Sequence, residues 1–485
     1  MVSYYNGKLQ NSPQTAGGVK PSKRNEVRTV KKRVFRGVGL CAMLLCLSLS
    51  LCGCMFEQSE GMYALPILPE AYSQLQSTIQ DVMDQQGAEY ATISSGSNTS
   101  TVQLLDLNGD GEQEMAAVFL RVTSAEEKPL RVCLFRKGAD NDYRLTYVVE
   151  GDGTSINSVT YEDVTGDGTL DLIVSWQMST KVHILSAYTL LDAGVSELMS
   201  TTYNESYLVT DLDQDGAKEI VVCHQDSTGD GANLAEFYDY NGGVMTMTSS
   251  APLSNGIYGV YSMVPGKLAD GTPAVFASSL FSGGTLTDVM TVEDGRLHNV
   301  TLNKQAGYSE VTSRVDTGVS LSDINKDGVL EIPIPVKLPS VKEGEESEES
   351  VIYWCQVNAN GSLAISCVTY HCQADGWYLV LPDNWPENIA VARDDSLSHR
   401  GERSVVFYYN SGEEGQEPKP FLTIYRLTGS NRQARAMLPG RVTLYSDSTT
   451  IYAASLEEGV WDCKLKANEL AQRFFLITVA WDSES

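Results

Sequence analysis

Residues 106–114 read DLNGDGEQE and run directly into the apolar stretch MAAVFL at 115–120. The same order returns three times: DVTGDGTLD (163–171) before LIVSW, DLDQDGAKE (211–219) before IVVC, and DINKDGVLE (323–331) before IPIPV. Each copy has the form Asp-x-[Asp/Asn/Thr]-x-Asp-Gly-x-x-[Asp/Glu]. The Asp-Gly pairs begin at Asp110, Asp167, Asp215 and Asp327, at steps of 57, 48 and 112. The last step is two periods, so a hidden copy is predicted near residue 271. Ala269-Asp270-Gly271-Thr272-Pro273 stands there before the strand-like run Ala274 to Ala277, with the turn kept and the other carboxylates lost. A repeat of this length predicts an array of like units, a solenoid or a propeller.

Each period holds about four strand-like runs. In the second they are Ile156–Tyr161, Leu170–Trp176, Val182–Leu190 and Ser196–Tyr203. In the third they are Tyr207–Thr210, Glu219–His224, Ala235–Tyr240 and Val244–Ser249, with a hairpin turn at Asn241-Gly242. Four antiparallel strands per unit predict the blade of a β-propeller. Radial closure also protects strand edges that would otherwise invite aggregation.

The acidic loops resemble the calcium loops of the FG-GAP/VCBS repeat family of bacterial extracellular and integrin-type β-propellers. The resemblance spans residues 100–372, five units; the Phe-Gly and Gly-Ala-Pro strings of the family name are absent. It implies a mainly β fold of about five four-stranded blades. After residue 372 no acidic loop recurs near 382, and a small C-terminal α/β domain is predicted over 373–485, with a helix near Lys464–Phe474 and a last strand Phe475–Trp481. The alternative is two irregular blades completing a seven-bladed propeller. Ahead of the repeats, 69–99 predicts an amphipathic helix and a linker, with Leu75, Ile79 and Val82 on one face.

A hard cation such as Ca2+ takes six to eight oxygens at ~2.3–2.6 Å. Carboxylates at positions 1, 3 and 5 converge when Gly at position 6 lets the chain turn, and an acid at position 9 closes the shell. The first loop offers Asp106, Asn108, Asp110 and Glu114. The second offers Asp163, Thr165, Asp167 and Asp171, weakened by Thr165. The third offers Asp211, Asp213, Asp215 and Glu219 and is the most charged. The fourth offers Asp323, Asn325, Asp327 and Glu331. Three or four structural Ca2+ sites are predicted; the rival reading is a set of solvated acidic turns. DSTGDG, from Asp226, copies half a loop but has Leu234 where the ninth-position acid belongs, and is read as a turn.

The 485 residues carry 35 Lys/Arg and 62 Asp/Glu, a net charge of −27, which speaks against a nucleic-acid partner. The charge is uneven: residues 1–53 hold nine Lys/Arg and one acid, Glu26. Lys31, Lys32, Arg33 and Arg36 precede an apolar run from Val38 to Leu51, too short to span a bilayer at ~20 residues but suited to an export signal. Its end, Leu51-Cys52-Gly53-Cys54, resembles the bacterial lipobox. That resemblance implies lipidation of Cys54, a signal peptide over 1–53, a tether over 54–68, and a protein anchored to the cell membrane and facing outside the cytoplasm. An uncleaved membrane anchor is the alternative.

No His-Glu-x-x-His, Gly-x-Ser-x-Gly or phosphate loop occurs, and a Cys223/His224 pair is the one local nucleophile–base candidate. The chain is therefore expected not to be an enzyme but a module binding an extracellular protein or glycan. The alternative is an extracellular polysaccharide hydrolase or lyase, which paired carboxylates in a pocket outside the calcium loops would favour. Trp176, Trp354, Trp377 and Trp385 are candidates for stacking on sugars or for the core. Six cysteines beyond Cys54 leave 15 disulfide pairings open.

Overall fold

The first three acidic loops each deliver the chain into a strand buried on both faces, and this sets the architecture. Continuous apolar runs such as MAAVFL and IVVC have no polar side to offer water, so both faces must be covered. The computed structural model describes residues 70–477, apart from 125, 192–193, 227–231, 343, 414–415 and 458. The predicted signal peptide, Cys54, the tether 54–68, most of DSTGDG and the predicted strand beyond 477 lie outside the described residues. The chain divides into two compact units, Met1–Glu70 and Ala71–Ser485; apart from Glu70, everything below concerns the second.

Six antiparallel sheets follow one another along the chain. The first joins Ala88–Tyr90, Val102–Leu105, Met115–Val122, Leu130–Lys137 and Tyr143–Gly151. The second holds Ser155–Glu162, Asp171–Gln177, His183–Leu191 and Gly194–Tyr203, and the third Tyr207–Thr210, Glu219–His224, Leu234–Asn241 and Val244–Pro252. The fourth holds Gly259–Lys267, Pro273–Phe281, Gly284–Glu293 and Arg296–Asn299. In the fifth, Ile332–Lys337, Ser350–Val357, Leu363–Cys372 and Trp377–Val380 are joined by Phe474–Leu476 from the far end of the chain. The sixth runs in the order Ile389–Asp394, Glu402–Tyr409, Lys419–Thr428, Thr450–Leu456, Arg441–Ser446.

Successive side chains of a strand point to opposite faces, and the buried clusters show where each face goes. Met115, Ala117 and Phe119 of the first sheet meet Leu172, Val174 and Trp176 of the second. Ile173 packs with Ile220 and Val222 of the third sheet, whose Val221 and Cys223 pack with Val275 and Ala277 of the fourth. Ala274 and Phe276 then meet Ile332 and Val357 of the fifth. Tyr370, Trp377 and Leu379 meet Phe407, Leu422 and Ile424 of the sixth.

The two outer faces of this series are covered by helices. Leu75, Ile79 and Val82 of the helix Glu70–Gln86 lie on Ala116, Val118, Leu120, Cys133 and Phe135 of the first sheet. Ala436 of the short helix Arg432–Ala436 lies on Leu427, Ile451 and Ala453 of the sixth. These covers correct the predicted propeller. A ring needs its first and last sheets to offer each other bare apolar faces, and here both are occupied. The described residues form neither a closed barrel nor a closed propeller of five or seven blades.

The predicted C-terminal α/β domain is corrected as well. Residues 389–456 form the all-antiparallel sixth sheet, and the helix predicted near Lys464–Phe474 shrinks to Leu470–Arg473. Lys464 sits at φ 54°, a left-handed conformation that a right-handed helix does not accept. The hairpin turn of the third sheet falls one residue later than predicted, on Gly242 and Gly243 at φ 65° and 98°, with Asn241 paired to Val244. A two-residue turn of this hand needs positive φ at both centres, which the second glycine supplies.

Candidate metal centres

The four acidic loops share one internal geometry. In the first, Asp106 Oδ1 accepts the N–H of Gly109 at 2.7 Å and Oδ2 that of Gly111 at 2.8 Å. In the second, Asp163 does the same with Gly166 (2.7 Å) and Gly168 (2.8 Å). Asp323 accepts from Asp327 and Gly328, and Asp211 from Gln214. The ninth-position acid reaches back to the second residue's N–H: Glu114 to Leu107 at 2.9 Å, Asp171 to Val164 at 3.0 Å, Glu219 to Leu212 at 2.7 Å and Glu331 to Ile324 at 3.1 Å.

Glycine at position 6 is left-handed in all four loops, as the turn demands: Gly111, Gly168, Gly216 and Gly328 have φ of 92°, 83°, 99° and 87°. Position 4 is left-handed too. Gly109 and Gly166 take that conformation freely, but Gln214 and Lys326 hold it at φ 65° and 62°. A non-glycine residue in this region is uncommon and costs conformational energy, so the hydrogen bonds of the first-position Asp hold it there.

Carboxylate oxygens converge in three of the four loops. Those of Asp106, Asp110 and Glu114, of Asp211, Asp213, Asp215 and Glu219, and of Asp323, Asp327 and Glu331 each lie within 4.8 Å of one another. The Asp163, Asp167 and Asp171 carboxylates do not form such a group among the described residues. Asp171 is one methylene shorter than the Glu of the other loops, and its Oδ2 is held by the N–H and hydroxyl of Thr165, both at 3.1 Å. Asn108 and Asn325 each turn an amide towards the fifth-position acid, at 3.2 Å from Asp110 and 2.9 Å from Asp327.

The third loop asks most strongly for a cation. Glu219 is 1% exposed, and its Oε1 has no hydrogen-bond partner. Burial lifts its carboxyl to about 8, relieved by the Leu212 N–H and reinforced by Asp213, Asp211 and Asp215. Burial likewise raises Asp171 and Glu331. Asp327, exposed, is lowered by the Val329 N–H. An all-oxygen donor set of this charge suits a hard divalent cation, and Ca2+ is compatible with it. The fifth copy retains Asp270, which caps the Thr272 N–H at 3.0 Å, and has Ala274 where the closing acid would stand.

The other sequence candidates separate. Cys223 packs inward against the fourth sheet while His224 projects from the opposite face to Glu236 at 3.1 Å, so they form no pair. Trp176, Trp354, Trp377 and Trp385 are all buried core. The six described cysteines are free thiols.

A cleft of about 270 Å³ opens on the outer face of the sixth sheet, beside the short helix. Asp394, Glu402, Ser404, Thr423 and Tyr425 line it. Asp394 stands opposite Ser404 in the register, so Glu402 is its diagonal neighbour on the same face, at a backbone spacing of ~7–8 Å. Asp394 is exposed and kept below the usual carboxylate range by the side chain and N–H of Ser396. Glu402 is buried and accepts from Arg441 at 2.7 Å, with Arg435 at 3.7 Å. The Arg441 guanidinium stacks 3.6 Å above the Tyr425 ring. Neither Asp394 nor Glu402 belongs to a motif that the sequence singles out. The alternation Glu402, Ser404, Val406 against Arg403, Val405, Phe407 is the signal that would have found the site.

No family model matches the chain, and no curated protein does. Among solved structures, it is similar to a rhamnogalacturonan lyase at 14% identity and TM-score 0.30, covering 68% of this chain and 67% of that one. It is similar to a Bacillus licheniformis rhamnogalacturonan lyase at 14% identity and TM-score 0.30, covering 66% and 63%. A structure described as a putative exo-β-1,3-galactanase of Bifidobacterium bifidum matches at 12% identity and TM-score 0.22, covering 59% and 93%. The chain thus spans about two thirds of the lyase structures it matches. These are carbohydrate-active enzymes, and beside them the expectation that the chain is not an enzyme is withdrawn. Likeness of this degree assigns no reaction to it.

Proposed function

We propose that this is an exported protein acting on extracellular polysaccharide, as a hydrolase or lyase, on a scaffold of FG-GAP/VCBS-type repeats whose loops hold Ca2+. The observation that carries the reading is the cleft of the sixth sheet, which pairs Asp394 with Glu402 away from every acidic loop. Two carboxyl groups flank the bond cleaved in glycoside hydrolysis, and Asp394 and Glu402 are diagonal neighbours on one face of the sheet. Asp394, ionised and open to solvent, has the role of base. Glu402 holds Arg441 over Tyr425, which fixes that ring in the cleft wall. The acidic loops contribute rigidity rather than chemistry, pinning the turn that enters each inner strand.

The test is an assay of the purified chain on rhamnogalacturonan and β-1,3-galactan, the polymers named for the similar structures, and on a wider polysaccharide panel. New reducing ends report hydrolysis, and unsaturated uronate absorbance reports elimination. Asp394→Asn should lower turnover by about 10²–10⁴ if the carboxylate moves a proton. An active wild type with an equally active Asp394→Asn would remove the cleft from the mechanism. Absence of any cleavage across the panel would remove the enzymatic reading.

The anchor belongs to the same proposal. Lipidation of Cys54 would hold the protein at the cell membrane, facing outside the cytoplasm, where such polymers are met. Labelling with a fatty-acid analogue should mark the wild type and not Cys54→Ser; equal labelling of both would reject the anchor.

A further inference from the structure

The antiparallel register places one residue of the neighbouring strand opposite the closing acid of every loop. Met115 pairs with Arg136, which sets Lys137 opposite Glu114. Leu172 pairs with Tyr188, which sets Thr189 opposite Asp171. Ile220 pairs with Tyr238, which sets Asp239 opposite Glu219. Ile332 pairs with Cys355, which sets Gln356 opposite Glu331. The same place in four copies of one loop is thus held by an ammonium, a hydroxyl, a carboxylate and an amide.

Two of these side chains touch their loop. Gln356 Nε2 donates to Asp327 Oδ2 at 2.7 Å and to Glu331 Oε1 at 3.0 Å. Lys137 Nζ lies 3.4 Å from Glu112 Oε2, inside the first loop, and its backbone N–H donates to the Glu114 carbonyl at 2.8 Å. Thr189 is buried opposite Asp171, whose Oδ1 has no hydrogen-bond partner. Asp239 is half-buried and stands opposite Glu219, beside but outside the four carboxylates that converge within 4.8 Å, and burial and then the charges of Asp213 and Asp215 raise its carboxyl. In the same loop, the buried Glu219 Oε1 has no donor.

We propose that this cross-strand residue grades the four loops for Ca2+: Asp239 makes the third the tightest by adding a negative charge beside its four carboxylates, and Lys137 makes the first the weakest. The affinity of calcium sites follows the number of charged oxygens and the rigidity of the site. The third loop has four acids of its own plus Asp239. The second and fourth have three acids with a neutral oxygen-bearing partner. The first has three acids and an ammonium held at the rim of the loop by Glu112. Gln356 must turn its amide to offer oxygen instead of N–H, which places the fourth loop between the extremes.

This grading rests on the calcium reading proposed above. The test is a calcium titration of the full chain by calorimetry and by competition with a chromophoric chelator, for wild type, Asp239→Asn and Lys137→Gln. Asp239→Asn keeps the shape and removes one charge, and it should weaken the tightest class about tenfold without changing the number of sites. In chelator the same variant should melt no lower than wild type, because it relieves repulsion; a purely structural role would lower it. Lys137→Gln should tighten the weakest class about tenfold. Calcium binding with both variants indistinguishable from wild type overturns the grading and leaves the calcium reading standing. No calcium bound by any of the three proteins overturns both.

Discussion

The backbone N–H of Lys218, in the third loop, donates to the carbonyl of Asp163, in the second, at 2.9 Å. Leu170, at the same place in the second loop, donates to the carbonyl of Leu107, one residue further into the first, at 2.8 Å. The first three acidic loops are therefore a hydrogen-bonded row along one side of the sheet series. A cation that stiffens one member stiffens its neighbour's carbonyl as well.

Calcium should then raise the melting temperature. A ligand that binds only the folded state stabilises by RT ln(1 + [L]/Kd), about 2.7 kcal/mol per site at a hundredfold excess over Kd. Asp215→Ala takes a carboxylate from the third cluster, and should lower both bound calcium and the melting temperature in calcium. Asp270→Ala alters the copy that has lost its ligands, and should leave the calcium stoichiometry unchanged. A melting temperature indifferent to chelator would reduce all four loops to acidic turns.

In chelator, stability should fall as pH rises from about 4.5 to about 8. Glu219 has its carboxyl raised from 4.5 to about 8 in the folded chain. Between those values the folded state holds a proton that the unfolded state has released. Stability therefore declines through this window as pH climbs, since it rises with pH only where the unfolded state binds more protons. Millimolar calcium should flatten the slope, because the cation replaces the proton. The check is melting temperature against pH with calcium and with chelator, in wild type and Glu219→Gln. Parallel curves for wild type in the two conditions would contradict the assignment.

The helix Glu70–Gln86 is predicted to be a required cover rather than an appendage. Ile79 is 2% exposed against the first sheet. Ile79→Ala should cost about 2–5 kcal/mol, the usual range for a buried large-to-small change. Denaturant unfolding measures it; a cost below about 1 kcal/mol, the scale of a surface substitution, would mean the sheet face does not depend on the helix.

What the sequence made legible was local. The eight strands between residues 155 and 252 are where the apolar runs and turn residues place them, to within three residues. The acidic loops adopt the turn that Asp-x-x-x-Asp-Gly requires. What it hid was non-local. Helix 70–86 is readable as amphipathic, but nothing in its own residues says that it occupies the face a closing blade would need. The left-handed fourth position is readable at Gly109 and Gly166, and invisible at Gln214 and Lys326. Asp239 and Gln356 look like ordinary strand residues until register sets them opposite Glu219 and Glu331. Glu402 belongs to no motif, and the Arg441 that holds it is 39 residues away.

The fourth sheet, whose loop has lost its acids, is held by a different device, and this gives the last prediction. Asp288 is fully buried with no cationic partner among the described residues. It accepts the Ser254 N–H at 3.0 Å, the Ser254 hydroxyl at 2.7 Å, the Asn299 amide at 2.8 Å and the Ser309 hydroxyl. The Ser254 hydroxyl oxygen in turn accepts the Ser309 N–H at 2.8 Å. One carboxylate thereby ties together three segments far apart in the chain. Asp288→Ala strips the acceptor from several buried donors at once, each costing about 1–3 kcal/mol when left unpaired. The variant should lose about 3 kcal/mol or more in urea unfolding, with the same calcium stoichiometry as wild type. Asp288→Asn keeps one oxygen but sets its NH2 against donors that need acceptors, and should fall between the two. An Asp288→Ala protein as stable as wild type would show that these segments are held by packing alone, and loss of calcium sites in it would show that the pin and the loops are one system.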